Sequence, residues 1–130
     1  MAQHEFRISE AAALVGVSDD TLRRWADAGR VPVARDAQGR RVVRGADLAA
    51  LAQELADQDA VTGSSARNRM RGIVTRVLRD TVMAQVDVQA GPFRVVSLMT
   101  REAADELGLE PGVPVVTSVK ASAVVVELPR

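Results

Sequence analysis

Residues 81–89, TVMAQVDVQ, decide the fold of the second half of this 130-residue chain. Val82, Ala84, Val86 and Val88 fall on alternate positions, and polar or larger residues fall between them. A period of two residues places the two sets on opposite faces of a strand. The segment therefore predicts a strand with one buried face.

The chain around this strand carries the signals of a small barrel. Arg79-Asp80, Ala90-Gly91-Pro92 and Pro111-Gly112 predict turns. Thr100 is expected to cap a short helix that ends at Gly108. Four further strands are predicted, at 72–78, 93–99, 113–120 and 124–128. Five short strands with one helix are typical of an OB-like β-barrel. The uncharged valines at 124–126 predict an edge that other subunits cover.

The first half of the chain has helical patterning instead. Ser9 is predicted to cap a first helix that Gly16 ends, and Ser18 to cap a second that Gly29 ends. Strands at 31–33 and 40–43 are expected to flank a turn at 36–39. A third helix follows, on which three leucines recur at helical spacing: Leu48, Leu51 and Leu55.

Charge is distributed unevenly along the chain. The 17 basic and 17 acidic residues cancel overall. Residues 23–44, however, contain seven arginines and two aspartates, which leaves a local excess of five positive charges. Such a cluster on a helix-turn-helix predicts binding to the phosphates of duplex DNA. An ordinary solvated face, or a protein-binding module, is the alternative.

The first half resembles the MerR-like and excisionase-like families. The motifs that carry the resemblance are Ile8-Ser9-Glu10-Ala11-Ala12, Gly16-Val17-Ser18, Thr21-Leu22-Arg23-Arg24-Trp25, Gly29-Arg30-Val31-Pro32 and Gly39-Arg40-Arg41. The resemblance implies a winged helix-turn-helix in which Ser18, Thr21, Arg23 and Arg24 approach DNA. It also implies that Arg40 and Arg41 contact phosphates from the wing. The long dimerising helix of full MerR-type regulators is missing, so dimerisation is expected to come from elsewhere.

The second half resembles the molbindin or TOBE (Mop-type) family of molybdate-binding domains. The resemblance rests on Ser65-Ala66-Arg67-Asn68, Gly72-Ile73-Val74, Met99 to Ala103, Leu107 to Gly112, and Val119 to Val124. It implies molybdate or tungstate as ligand, and a molybdopterin stays open. It implies an oxyanion site lined by Ser65, Arg67, Thr100, Lys120, Ala121 and Ser122. It further implies sites shared between subunits, in a homo-oligomer such as a hexamer built as a trimer of dimers.

These residue types suit a tetrahedral dianion. Arg67 provides a fork of donors and Lys120 a compact positive charge, while the hydroxyls and backbone amides add neutral donors. Glu102 is the one carboxylate within the motifs that contain the predicted oxyanion residues, and it can point outward. The alternatives are that Arg67 pairs with Asp87 or Glu106, and that Lys120 is a solvated strand residue.

The sequence predicts an α+β protein of two small domains, at 1–58 and 65–130, joined by a linker at 59–64. There is no cysteine, and the single histidine is His4, so neither a conventional metal-cation site nor an enzyme is expected. Without a membrane span or leader, a cytoplasmic location is expected. The leading function is an oxyanion-responsive transcription regulator. Oxyanion storage, or a DNA-binding module with a purely oligomerising barrel, are the alternatives.

Overall fold

A computed structural model describes residues 4–57 and 64–129 of the chain. Contacts divide the chain into two compact units, Met1–Thr62 and Gly63–Arg130, each with its own hydrophobic core. The predicted mixture of a helical first half and a sheet-rich second half is confirmed. Apart from Ser64, the predicted linker lies outside the described residues.

Within residues 4–57, the first unit combines three helices with a small antiparallel sheet of strand order β1-β3-β2. Its elements are β1 Glu5–Arg7, α1 Ile8–Val15, α2 Asp19–Asp27, β2 Ala34–Arg35, β3 Arg41–Arg44 and α3 Gly45–Asp57. The core lies between the helices and β3 and includes the buried side chains of Leu22, Val31, Val43 and Leu51. Of the three leucines at helical spacing, Leu48 and Leu51 are buried and Leu55 packs against this core as a partly buried residue.

Two local predictions in the first unit are confirmed. Gly16 ends α1 in the left-handed conformation, with φ of 75°. The Ser18 hydroxyl caps α2 by accepting a hydrogen bond from the Thr21 amide at 3.1 Å. The three-residue turn between the two helices is thus set by its own residues.

Two others are wrong. Arg7, not Ser9, is the N-cap of α1, and its amide donates to the Glu10 carboxylate at 3.1 Å. The helix begins early because β1 pairs with β3 up to Arg7 and leads directly into it. The first hairpin strand lies at 34–35 rather than 31–33, since Val31 is buried in the core and proline at 32 has no amide to donate.

The second unit is built on an antiparallel sheet of strand order β6-β5-β4-β7. Its elements are β4 Asn68–Arg79, β5 Met83–Ala90, β6 Phe93–Thr100, α4 Arg101–Glu106, β7 Pro114–Val119 and a 3-10 turn at Ala121–Ala123. Ala84, Val86 and Val88 are each at most 3% exposed, so three of the four residues predicted on the buried face of β5 are confirmed there. The prediction is wrong for Val82, which precedes the strand and is 65% exposed. Thr100 caps α4 as predicted, accepting from the Ala103 amide at 3.1 Å.

The predicted fifth strand is absent from the described residues of the single chain. Residues 124–129 have no regular secondary structure, and Val126 is 87% exposed. An apolar segment becomes a strand only when another strand offers it hydrogen bonds. The described helices also include none that is long and apolar enough to cross a membrane.

Gly72 marks a close approach between two strands. A Cβ atom at this position would lie 2.5 Å from the Gln89 carbonyl oxygen and 2.8 Å from a methyl group of Val88. The nearer atom belongs to the backbone of β5, which cannot move without disturbing the ladder. Glycine is therefore required here by space.

We expect Gly72→Ala to lower the free energy of unfolding of the second unit by about 1–3 kcal/mol, the usual cost of overpacking. Chemical denaturation measures the change. Arg71→Ala, at the exposed neighbouring position, should stay within about 0.5 kcal/mol of the parent protein. Equal stability of the two variants would contradict the close approach.

Asp87 is a buried carboxylate on the other face of β5, 5% exposed. Arg94 on β6 donates to it from two guanidinium nitrogens, at 2.8 and 3.1 Å, and the Gln85 amide donates at 3.0 Å. These hydrogen bonds, first those from Arg94, hold the pKa of Asp87 below its ordinary value. The ionised form is therefore the one that stabilises the fold.

A carboxyl whose pKa is lowered by folding stabilises the protein above its unfolded pKa, roughly pH 4, and loses that contribution as the pH falls through its folded value. We therefore expect stability to fall on acidification below about pH 4. Asp87→Asn should be less stable at neutral pH and should show a shallower acid dependence. Denaturation midpoints measured from pH 2 to pH 7 test this, and parallel curves for the two proteins would contradict it.

Candidate functional site

Five of the predicted oxyanion residues meet at one end of the ladder between β4 and β7. The strands pair antiparallel, with Asn68 opposite Val119. Arg67 directly precedes β4 and Lys120 directly follows β7, so the register places them side by side. Ser65 lies just before Arg67, and Ala121 and Ser122 follow Lys120. Residues far apart in sequence thus share one corner, which we call the cationic corner.

Asn68 fixes this end of the ladder. Its side-chain amide donates to the Val119 carbonyl oxygen at 3.1 Å, and the residue is half-buried. Asn68 lies within one of the family motifs, but no role was predicted for it from the sequence. Because the bond spans the two strand ends, Asn68 is a positioning residue for its neighbours Arg67 and Lys120.

The chain turns sharply after Lys120. The first hydrogen bond of the 3-10 turn runs from the Ala123 amide to the Lys120 carbonyl, at 2.9 Å. The amides of Ala121 and Ser122 precede it, as the first amides of any helical turn do. The corner therefore offers backbone donors beside the Lys120 ammonium.

The charge at this corner is uncompensated within the described part of the chain. None of its ion pairs involves Arg67 or Lys120, and both residues are exposed. Asp87, an alternative partner for Arg67, pairs with Arg94 instead. Two neighbouring cations without a carboxylate are an arrangement that attracts an anion.

Thr100 is placed differently. It pairs with Met83, at the opposite end of the sheet from Arg67. Its hydroxyl caps α4, and the cavity of about 510 Å³ beside it is lined by three carboxylates, those of Glu102, Asp105 and Glu106. Within one chain, Thr100 therefore does not join the other five predicted residues.

The predicted DNA-facing residues lie on α2 and on the hairpin of the first unit. Ser18 and Thr21 are joined by a hydroxyl-to-hydroxyl bond of 2.8 Å, and Arg24 donates to the Thr21 hydroxyl at 3.3 Å. Both hydroxyls therefore already support the start of α2. Arg24 and Arg23 remain exposed on its outer surface.

Three of the four arginines predicted to contact DNA are paired with aspartates. Arg23 lies 3.2 Å from Asp20, Arg40 lies 3.0 Å from Asp36, and Arg41 lies 3.1 Å from Asp27. The charges were counted from the sequence, but their pairing was not predicted. The first two pairs have helix-like or turn-like spacing that could have revealed them, whereas the third joins α2 to β3 and depends on the tertiary fold.

Asp36 organises the hairpin turn. One of its oxygens accepts from the amides of Gln38 and Arg40, both at 2.9 Å, and the other accepts from the Arg40 guanidinium. The bond from the Arg40 amide is the main reason that the pKa of Asp36 lies below its ordinary value. Arg40 is thus held in place at the tip of the wing.

Comparison with protein-family models gives two matches. Residues 64–126 match the TOBE domain, and residues 7–43 match the MerR family regulatory proteins. The two matches occur in the order predicted from the sequence, so both resemblances are confirmed. Comparison with curated proteins gives no match.

Two solved structures are similar to the C-terminal part of the chain. A molybdate binding protein from Sporomusa ovata is 28% identical with a TM-score of 0.50, over 52% of this chain and 100% of its own. MopII from Clostridium pasteurianum is 27% identical with a TM-score of 0.48, over 51% of this chain and 100% of its own. The sheet of the second unit therefore resembles the fold of the Sporomusa ovata protein.

Proposed function

We propose that this protein is a transcription regulator that binds molybdate or tungstate with its second unit and duplex DNA with its first. The observation that carries the proposal is the cationic corner, where Arg67 and Lys120 lie side by side without a carboxylate partner among the described residues. Its place in a chain that also has a MerR-like helix-turn-helix supports a regulatory use.

The chemistry of the corner fits a doubly negative, tetrahedral anion. Two positive charges balance the ligand, and the hydroxyls of Ser65 and Ser122 with the amides of Ala121 and Ser122 supply donors from several directions. The molybdate binding protein from Sporomusa ovata supports an inorganic oxyanion as the ligand. The ligand recognised is thus proposed to be the anion itself, without an organic cofactor.

A second copy of the chain would complete this site. All the corner residues are solvent-exposed in one chain, and an anion held only there would stay largely hydrated. The C-terminal segment that follows the corner is apolar, with Val125 80% and Leu128 92% exposed. We propose that subunits associate through this segment and so enclose the anion, which would in turn stabilise the assembly.

An apolar cleft in the second unit offers a place for such a segment. The cleft, of about 280 Å³, lies between β6 and β7, with Val95, Met99, Val115 and Val119 among its lining residues. A strand from a second copy, residues 124–128, has matching apolar character. Such an exchange would produce a homo-oligomer, for which the family resemblance implies a trimer of dimers. Thr100 would contribute to an anion site only from another subunit.

Storage of the oxyanion is the second candidate function. It is favoured by the Sporomusa ovata protein, which the second unit of this chain covers over its full length. All of the Sporomusa ovata protein corresponds to about half of this chain, so it has no counterpart of the first unit. Anion binding therefore does not require a DNA-binding unit. Both functions place the protein in the cytoplasm, where oxyanion and chromosome are together.

We expect tight binding of molybdate and tungstate by the intact protein, and an assembly larger than one chain. Arg67→Ala and Lys120→Ala should each weaken binding by about 2–5 kcal/mol, the cost of removing one partner of a buried charge pair. Arg71→Ala is the matched control, because it removes the same charge about 13 Å further along β4, beyond a Debye length. Isothermal titration calorimetry and native mass spectrometry provide the measurements.

The absence of heat with either metal oxyanion would contradict the anion site, and equal affinity for sulfate would contradict its selective function. An equal loss in the Arg71→Ala variant would show that general charge, and not the corner, attracts the ligand. A chain that stays monomeric with the anion bound would contradict the shared site.

For the first unit, we expect duplex binding that weakens with salt, each phosphate contact contributing about −0.9 to the slope of log affinity against log salt. Arg24→Ala should reduce the magnitude of that slope by about 0.9. A regulator also requires that molybdate change the duplex affinity of the parent protein, as fluorescence anisotropy can measure. If molybdate leaves the duplex affinity unchanged, storage is favoured. If the protein binds no duplex, regulation is excluded.

A further inference from the structure

An acidic residue occupies the start of the proposed recognition helix. Asp20 lies in the first turn of α2, with its side chain 90% exposed. Its carboxylate is 3.2 Å from the guanidinium of Arg23, which is 52% exposed. A role for this pair rests on the proposed function, because it concerns how the first unit reads duplex DNA.

The other two aspartates that pair with DNA-facing arginines have structural roles. The side chain of Asp36 is 16% exposed and accepts hydrogen bonds from two backbone amides of the turn. Asp27 connects α2 to Arg41 on β3, across fourteen residues of sequence. Asp36 therefore holds the hairpin turn together, and Asp27, with its side chain 70% exposed, links two different elements.

Asp20 holds no such parts together among the described residues. It contacts a residue of its own helix, and an exposed pair at this spacing contributes little to stability. A carboxylate on a surface that approaches phosphates is repelled by them. A hydrogen-bond donor on the DNA would offset that repulsion.

The major groove offers such a donor at cytosine. The N4 amino group of cytosine donates to aspartate, and O6 and N7 of the paired guanine accept from arginine. The N-terminal residues of a recognition helix are the ones that reach base edges. We propose that Asp20 and Arg23 together read one C·G base pair of the operator half-site, Asp20 at cytosine and Arg23 at guanine.

Selection of duplexes from a random library by the intact protein tests this, because the library contains every possible half-site. The parent protein should select a motif with cytosine favoured at one position by about 5- to 150-fold. Asp20→Ala should weaken the preference at that position alone and leave the part that Arg23 contributes at guanine. Asp20→Asn should raise the frequency of adenine there, because the carboxamide of asparagine pairs with N6 and N7 of adenine.

Asp19→Ala is the matched control, since it removes the same charge from the same exposed turn. It should strengthen duplex binding by relief of repulsion, without the loss of a base contact, and should retain the parent motif. Unchanged motifs in both Asp20 variants, or the same change in the Asp19 variant, would overturn the inference while leaving the proposed DNA binding intact. A parent protein that selects no duplex would overturn both.

Discussion

The antiparallel pairing of β4 with β7 is the constraint on which the proposed anion site depends. Its register, with Asn68 opposite Val119, brings together two residues more than fifty positions apart in sequence. Arg67 and Lys120 lie directly beside the paired strand ends, so the ladder determines their placement. Two cations placed in this way attract an anion.

The same ladder leaves the second unit with two edge strands in a single chain. β4 pairs with β5 along its later residues and with β7 along its earlier ones, so it occupies the centre of the sheet, while β6 and β7 end the strand order. A small unit buries little apolar surface by itself. The valines after the 3-10 turn are exposed, and an apolar cleft lies between the two edge strands. The proposed association of chains would cover both features and enclose the cationic corner at the same time.

In the first unit, aspartates form ion pairs with arginines that are predicted to contact DNA. Arg40 and Arg41 are fixed by Asp36 and Asp27, so the wing presents ordered positive charge rather than freely rotating side chains. Ordering before binding reduces the entropy lost on contact with DNA. The positions of the arginines on one surface therefore matter more than the size of the local positive charge.

Local sequence was enough to determine much of this protein. The period of two in β5, the caps at Ser18 and Thr100 and the glycine after α1 act over a few residues, so their outcome is visible in the sequence. Family motifs likewise identified both units, and the anion residues that they imply stay a prediction. Tertiary structure alone decided the pairing of Arg41 with Asp27, the role of Asn68 and the distance of Thr100 from the corner. It also decided that residues 124–128 form no strand in a single chain. Each of these depends on which distant backbone lies alongside, and no local pattern records that.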